Sequence, residues 1–176
     1  MITDLAEIAR QGTVKSGENL QFRRYLAAHH QRVEAFQAVA TEVQRRVDCT
    51  ACANCCRYSI VSVRGAEVAR IATYLGQSEE AVVHRFTTPD AESPRARTLA
   101  SGKGGCVFLK GNRCGIYPAR PEACRNFPHV ARGTHSLGGR LASVCRWAPL
   151  CPVVFNALEE YKHLVGFHTG HMGHSE

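Results

Sequence analysis

The sequence has no long hydrophobic run. Nowhere do its 176 residues contain the roughly 18 consecutive apolar residues that a membrane-spanning helix needs. Residues 1–7 carry an acid where a secretion signal has a base, and no apolar block follows them. We therefore expect a cytoplasmic protein that does not enter a membrane.

Large apolar side chains are also scarce. Leu, Ile, Val and Phe together number 39 of 176 residues, close to the roughly 20% below which chains tend to be disordered. So thin a core would gain from metal crosslinks, because metal binding stabilises the folded state directly. The length suits one domain with tails. We assign residues 1–20 to a flexible N-terminal segment, 21–165 to one metal-binding domain, and 166–176 to a flexible tail that contains histidines.

Cysteine, in contrast, is abundant. An odd number of nine cysteines excludes complete internal disulfide pairing, and a cytosolic compartment keeps thiols reduced. Four cysteines fall within the eight positions 49–56, which is too dense for ordinary buried apolar cysteines. Thiols in this number and density therefore indicate metal binding. The nine are Cys49, Cys52, Cys55, Cys56, Cys106, Cys114, Cys124, Cys145 and Cys151.

The spacing of the first four predicts a coordinating loop. Two cysteines separated by two residues direct both sulfurs at one metal, and here that spacing occurs twice in succession, as in the bacterial iron–sulfur run. Zinc sites use the same pairs. Neighbouring side chains of an extended chain point in opposite directions. Cys55 and Cys56 would therefore bind two different centres, or one of them would bind a centre while the other acts outside its ligand shell. Eight thiolates would satisfy two four-ligand sites or one multinuclear cluster.

The predicted ligands are eight of the nine cysteines. Among the last two, Cys151 is preferred because it precedes Pro152, where the backbone N–H groups of a starting helix stabilise a thiolate. Cys145 is interpreted as a spare thiol. The predicted set is Cys49, Cys52, Cys55, Cys56, Cys106, Cys114, Cys124 and Cys151.

The formal charge of +7 counts every thiol as neutral, and eight bound thiolates would cancel it before any metal is added. Arg57, Arg113, Arg125 and Arg146 each adjoin a cysteine, where a cation favours the thiolate; ordinary surface arginines are the alternative. No basic run is interleaved with aromatic residues, so we expect no nucleic-acid partner.

Periodicity and turn residues predict an α+β fold: a small metal-stapled domain with several helices around short β-hairpins and a long N-terminal lead-in helix. We expect helices over residues 21–47, 65–75, 78–86 and from Pro152 onward, and a short strand within 58–63. The loop 87–105 should be exposed. Hairpins are predicted over 106–117, holding Cys106 near Cys114, and over 129–144. A proline turn at Pro121 should present Cys124.

With these motifs the chain resembles a known family. The residues that carry the resemblance are the run Cys49-Thr-Ala-Cys52-Ala-Asn-Cys55-Cys56 with Arg57, then Gly105-Cys106, Cys114-Gly-Ile-Tyr117, Arg120-Pro121-Glu-Ala-Cys124-Arg125 and Cys151-Pro152. They resemble the bacterial cysteine-cluster proteins with a zinc- or iron-chelating CxxCxxCC domain, often called the YkgJ family, from about residue 45 to 160.

The resemblance implies a metal centre built from the first seven cysteines and one late cysteine, and it implies no particular activity. One branch of the family is similar to a flagellin lysine N-methylase. Here, however, Gly102 to Gly105 lead into a predicted hairpin and not into a helix, which argues against a methyl-donor site.

Three functions are compatible with such a centre. The first is an iron–sulfur protein in a redox or accessory role with a redox partner. The second is a structural zinc module that acts as an adaptor for a protein partner, and the third is a metal-handling protein. The cofactor is thus an iron–sulfur cluster or zinc, with two centres allowed, and we expect a monomer. No catalytic motif is present beyond a redox-active cysteine cluster.

Some polar residues allow two interpretations. Tyr117, Arg120 and Arg125 surround the proline turn and either pin it or contact the cluster sulfurs or an anion. His129 is interpreted as lying outside the metal shell. The tail histidines, spaced by three, are interpreted as a weak adventitious site; they are His168, His171 and His174.

Overall fold

The computed structural model describes residues 1–29, 33–93, 95–128, 130 and 137–169, apart from the side chains of Val33 and of residues 137–140. The chain groups into two compact units. Unit 1 comprises Met1–Asp48 and Pro128–Glu176, and unit 2 comprises Cys49–Phe127. The sequence had predicted a single domain over residues 21–165. The predicted tail lies outside the described residues from residue 170 onward.

All the secondary structure in the described part of unit 1 is helical. Its helices are α1 (Leu5–Val14), α2 (Ser16–Ala28), α3 (Val33–Arg46), α9 (Leu137–Trp147) and α10 (Pro152–Leu164). Helix α10 lies in the middle and packs against α1, α3 and α9. Phe22 and Phe36 contact Tyr161 edge-on, with ring centroids 5.9 and 5.2 Å away. This aromatic cluster, fully or almost fully buried, forms the centre of the unit because large rings remove the most apolar surface from water.

A close backbone approach and an ion network fasten the helices of unit 1. Gly12 packs so tightly that an added Cβ would lie 2.5 Å from the Cα of Pro149. Buried Lys162 donates hydrogen bonds of 2.7 Å to both Glu18 and Glu159, and Lys15 pairs with Glu159 as well. Burial opposes ionisation of Glu159, but the hydrogen bonds from the two lysines outweigh it and hold its pKa below the ordinary value.

Unit 2 is a mixture of short helices and very short strands. The helices are α4 (Cys49–Cys52), α5 (Asn54–Tyr58), α6 (Gly65–Leu75), α7 (Glu79–Phe86) and α8 (Glu122–Asn126), with a 3₁₀ turn over Tyr117–Ala119. The strands are β1 (Ser62–Val63), β2 (Thr87–Pro89), β3 (Arg97–Leu99), β4 (Ser101–Gly102), β5 (Gly105–Cys106), β6 (Leu109–Lys110) and β7 (Arg113–Cys114).

All strand pairs of unit 2 are antiparallel. β3 lies between β1 and β2, with Thr98 opposite both Ser62 and Thr88. β4 pairs with β5, placing Ser101 opposite Cys106, and β6 pairs with β7, placing Leu109 opposite Cys114. The apolar core beneath them includes Ile71, Val82, Leu99, Phe108 and Ile116, and Cys106, Cys114 and Cys124 pack partly buried at its edge.

The α+β prediction is confirmed, and several of its elements are too. Helix α6 ends at Gly76, whose φ of 63° is the left-handed C-cap that glycine favours, and Ser78 caps α7 by accepting the N–H of Ala81. The hairpin around Gly111 and helix α10 after Pro152 are present. No helix among the described residues combines the length and the apolar character that crossing a membrane demands.

Three local predictions are wrong. The lead-in helix 21–47 is two helices, α2 and α3, and helical structure begins at Leu5 because Ile8 and Gly12 are buried against the unit. The loop 87–105 contains strands β2 to β4 and the start of β5, for which Thr87, Thr88 and Thr98 supply β-branched residues. Part of the predicted second hairpin is helix α9, in which the buried residues Leu141 and Val144 recur at helical spacing, followed by buried Ala148 just after the helix ends. Of the remaining positions of that prediction, residues 129 and 131–136 lie outside the described residues.

Candidate metal centre

The cysteine loop of unit 2 is two helical turns joined by one left-handed residue. Cys49 and Cys52 lie in α4, and Cys55 and Cys56 lie in α5. Between them Ala53 adopts φ 49° and ψ 13°, the one positive φ of a non-glycine residue among those described. Such strain is uncommon and concentrates at functional sites.

The helical turn changes the geometry of the cysteine doublet. In an extended chain, Cys55 and Cys56 would point in opposite directions, which is the geometry predicted from the sequence. In α5 successive side chains are instead about 100° apart around the helix axis. The two thiols are near enough that the Cys55 thiol donates a hydrogen bond to Cys56.

The β4–β5 hairpin brings Cys106 to this loop. Gly105 is buried, with φ 99°, and an added Cβ would lie 2.7 Å from both the Cα of Arg57 and the carbonyl oxygen of Cys56. The backbone of β5 is therefore in direct contact with that of α5. Because Cys106 follows Gly105 directly, this contact places Cys106 next to Cys56.

The β6–β7 hairpin, which carries Cys114, is attached to the loop by a pair of side chains that we call the Arg57–Asn112 clamp. The Nδ2 of Asn112 donates to the carbonyl of Ala51 at 2.9 Å. Arg57 donates to the Oδ1 of Asn112 and, at 3.3 Å each, to the carbonyls of Cys52 and Gly111. These hydrogen bonds hold the turn of the hairpin against the cysteine loop.

Helix α6 positions the segment that carries Cys124. A carboxylate oxygen of Glu67 accepts the backbone N–H of Glu122 at 2.8 Å, at the start of α8. Arg70 donates to the carbonyl of Arg120 at 3.1 Å. Both contacts bridge about 50 residues of chain, so they orient Cys124 relative to a helix far from it in sequence.

The sequence left open whether the arginines of the proline turn pin the turn or act on the cluster sulfurs, and the two arginines differ in this respect. Arg125 donates to the carbonyls of Pro118 at 2.7 Å and Arg120 at 3.0 Å, so it pins the turn. The guanidinium of Arg120 lies 3.7 Å from the ring centroid of Tyr117 and donates to the carbonyl of that residue. From there Arg120 also acts electrostatically on three of the thiols, Cys56, Cys114 and Cys124.

Four of the thiols are close enough to affect one another's pKa values. The hydrogen bond from Cys55 lowers the pKa of Cys56 to about 7, against the effect of burial and with help from Arg57 and Arg120. Burial raises the pKa of Cys106 and Cys114, and charge on Cys56 raises both further. Burial, followed by charge on the other three thiols, raises the pKa of Cys124 to about 12.

Four thiols from four separate segments are thus within electrostatic reach of one another. They belong to α5, β5, β7 and α8. Their mutual repulsion as thiolates needs a cation to offset it, and metal binding removes thiol protons in the same step. Soft thiolate donors suit both zinc and iron–sulfur centres, so this set of donors fits the predicted cofactors. Among the described residues, no three His, Cys, Asp or Glu side chains already form a group that could hold a metal ion.

The nine cysteines of the chain, eight of them predicted ligands, are divided between the two units. Seven lie in unit 2, from exposed Cys49 to the half-buried remainder. Cys145 and Cys151 lie in unit 1; Cys151 is buried at the N-cap of α10, the helix start expected from Pro152. The eight-cysteine ligand set stays a prediction. His168 is exposed, and His129, His171 and His174 lie outside the described residues.

Sequence reasoning missed Glu67 and Asn112 as positioning residues. Neither has a local signal for that role, because their partners lie 55 and 61 residues away. The turn Gly111-Asn112 was recognised for its conformation alone. Only the contact with Ala51 reveals what the amide side chain does.

Comparison with known families gives one match. A family model named CxxCxxCC and described as "Putative zinc- or iron-chelating domain" matches residues 48–146, more than half of the chain. The matched region contains all seven cysteines of unit 2 and also Cys145. No curated protein and no solved structure matches the chain.

Proposed function

Because the chain belongs to the CxxCxxCC family of zinc- or iron-chelating domains, we propose that its thiol centre in unit 2 holds an iron–sulfur cluster in a redox or accessory role. The observation that carries the proposal is the packing of Cys106, Cys114 and Cys124 at the edge of one apolar core, with Cys56 close enough to act electrostatically on all three. These thiols belong to four short elements that dedicated contacts bring together, which supports a thiolate-ligated centre that metal binding itself would complete.

The proposed ligands fall into two groups. The first is the coupled set Cys56, Cys106, Cys114 and Cys124, enough for a four-thiolate site. The second is Cys49, Cys52 and Cys55, whose spacing matches the bacterial iron–sulfur run and which could serve a second metal or enlarge the cluster.

The cluster would supply a one-electron redox couple, and the chain supplies the charges and the burial that surround it. Arg57 and Arg120 lie near the thiols and offset part of their negative charge. The thiols of the coupled set are half-buried, and net charge, hydrogen bonds to sulfur and solvent exposure are the properties that set a cluster potential. A near-surface centre also suits exchange of electrons with a protein partner.

A specific observation favours a second candidate, a structural zinc module that binds a protein partner. Strands β4 to β7, which carry or adjoin two of the cysteines, have only two residues each. Strands this short add little stability on their own, so a metal that joins them would contribute much of the folding energy of unit 2.

Metal and sulfide analysis of the full chain separates the two candidates. Protein expressed with ample iron and purified without oxygen should be brown and contain iron and acid-labile sulfide. Colourless protein with stoichiometric zinc under the same conditions would reject the iron–sulfur proposal. In the zinc case, chelation should unfold unit 2 while air leaves the protein intact.

Serine substitutions test the ligand assignment. Cys56→Ser and Cys124→Ser should each lower the metal content per chain, because each removes a thiolate from the coupled set. Cys145→Ser is the matched control: it changes a half-buried thiol of unit 1 and should leave the metal content unchanged. Equal metal loss in all three variants would show that the assignment is wrong.

A further inference from the structure

An open cavity lies between helices α2 and α9 in unit 1. Its volume is about 230 Å³. Helix α2 contributes residues 16, 19, 20 and 23, which share one helical face, and helix α9 contributes residues 142, 145 and 146. Its polar lining consists of Ser16, Asn19, Arg23, Cys145 and Arg146. We call this cavity the α2–α9 pocket; none of the predicted metal ligands lines it.

The pocket has an excess of positive charge. Arg23 and Arg146 both line it, and neither forms an ion pair within the described part of the chain. The nearest acid of α2 in sequence, Glu18, is already engaged by the lysines of the ion network. Two guanidinium groups beside one small cavity favour an oxyanion, since each presents a planar fork of donors that matches its oxygens.

One residue that lines the pocket, Asn19, also has an unsatisfied acceptor. Asn19 is 3% exposed, and its Oδ1 has no hydrogen-bond partner among the described residues. A buried amide oxygen without a donor is costly, so such groups call for a partner. Cys145 donates only to the backbone carbonyl of Asn19, at 3.9 Å. A ligand that fits the pocket therefore needs an O–H or N–H donor in addition to its negative charge.

The thiol in the pocket does not oppose an anion. Burial raises the pKa of Cys145, and the smaller opposing effects of Arg23 and Lys162 do not reverse this. The thiol is therefore neutral at neutral pH and adds no negative charge to the lining. Ser16, at the first turn of α2, offers a hydroxyl that can donate to an anion.

From this lining we propose that the α2–α9 pocket binds a small oxyanion that also carries a hydrogen-bond donor, of the class represented by protonated inorganic phosphate. Arg23 and Arg146 hold the anionic oxygens, Ser16 donates to them, and the O–H of the ligand donates to the Oδ1 of Asn19. The site belongs to unit 1 and is independent of the metal proposal for unit 2.

The test is a titration of the metal-loaded 176-residue chain with inorganic phosphate, monitored by calorimetry and by the amide NMR signals of α2 and α9. We expect saturable binding that shifts signals on both helices. Arg23→Gln and Arg146→Gln should each weaken binding about tenfold or more, as loss of a charge-assisted hydrogen bond would. The matched control is Arg24→Gln, which removes an exposed guanidinium of the same helix outside the pocket, and it should leave the affinity unchanged.

Sulfate tests the donor requirement, because it has the shape of phosphate but carries no proton near neutral pH. It should bind more weakly than phosphate, since it cannot satisfy Asn19. Absence of saturable phosphate binding, or an affinity loss in Arg24→Gln as large as in Arg23→Gln, would overturn the site. Equal affinity for sulfate and phosphate would overturn the stated ligand class. Both substituted arginines are exposed, so the variants are expected to fold.

Discussion

Replacing Gly105 with alanine should separate Cys106 from the cysteine loop. The new Cβ would lie 2.7 Å from the Cα of Arg57 and from the carbonyl oxygen of Cys56, and both are backbone atoms that cannot rotate away. The φ of 99° at this position is also one that alanine rarely adopts. Hence either β5 or α5 must move, and the thiols of Cys106 and Cys56 move apart with these elements.

The expected cost has two parts. Holding alanine in a sparsely populated backbone region costs about 1–3 kcal/mol, and forcing an extra carbon into a tight contact typically costs about 1–3 kcal/mol more. Together they predict a loss of roughly 2–6 kcal/mol of folding free energy, a large part of what a small domain has. Movement of the hairpin relieves some of this strain at the expense of metal affinity.

Gly104→Ala is the matched control for this experiment. Gly104 is the preceding residue of the same turn, it is exposed, and an added Cβ would meet no atom within 4 Å. We expect its stability to stay within about 0.5 kcal/mol of the wild type. Urea unfolding of the metal-loaded proteins measures the stability, and elemental analysis with a competing chelator measures the metal content and affinity.

The outcome that would refute the reasoning is a Gly105→Ala protein that matches Gly104→Ala in both measurements. Such a result would mean that the contact between β5 and α5 does not determine where Cys106 lies. Lower stability with full metal affinity would mean that the strain is real but Cys106 is not a ligand.

Three further perturbations test contacts elsewhere in the chain. Asn112→Ala removes the clamp and should lower the free energy of unfolding, measured with urea, by about 1–3 kcal/mol. Asn126→Ala loses only one long side-chain contact of 3.4 Å and should change that free energy by less than about 0.5 kcal/mol. Equal losses in the two variants would contradict the role of the clamp. In thermal unfolding, Gly12→Ala should destabilise by roughly 1–3 kcal/mol because Pro149 leaves no room, and Gly17→Ala on an open helix face should stabilise by roughly 0.5–1 kcal/mol; the opposite order would disprove the packing argument. Folding lowers the pKa of Glu159, so the ionised carboxylate stabilises the folded state fully above its unfolded pKa of about 4.3, and this stabilisation is lost as the pH falls through the folded pKa. Below about pH 4.3, the free energy of unfolding should therefore drop more steeply in the wild type than in Glu159→Gln. Parallel curves of stability against pH would exclude this contribution.

Much of the secondary structure of unit 2 was predictable because its signals are local. Gly76 and Ser78 end α6 and cap α7 through contacts with residues three to five positions away. The hairpin at Gly111 likewise follows from its own turn residues. The predictions failed where a distant contact decided the outcome: helix α9 keeps its helical form through two glycines because its buried face packs against α2 and α10.

The sequence by itself determined that this protein binds metal: nine cysteines, four of them within eight positions, leave few other uses for so many thiols. It also determined the local turns that present them, since caps and turn residues act over a few positions. Only the tertiary structure decided which thiols come within electrostatic reach of one another. The contact of Gly105 with α5, the hold of Glu67 on α8 and the Arg57–Asn112 clamp each join segments about 50 residues or more apart. Such contacts depend on how the whole unit packs, and no local pattern in the sequence records them.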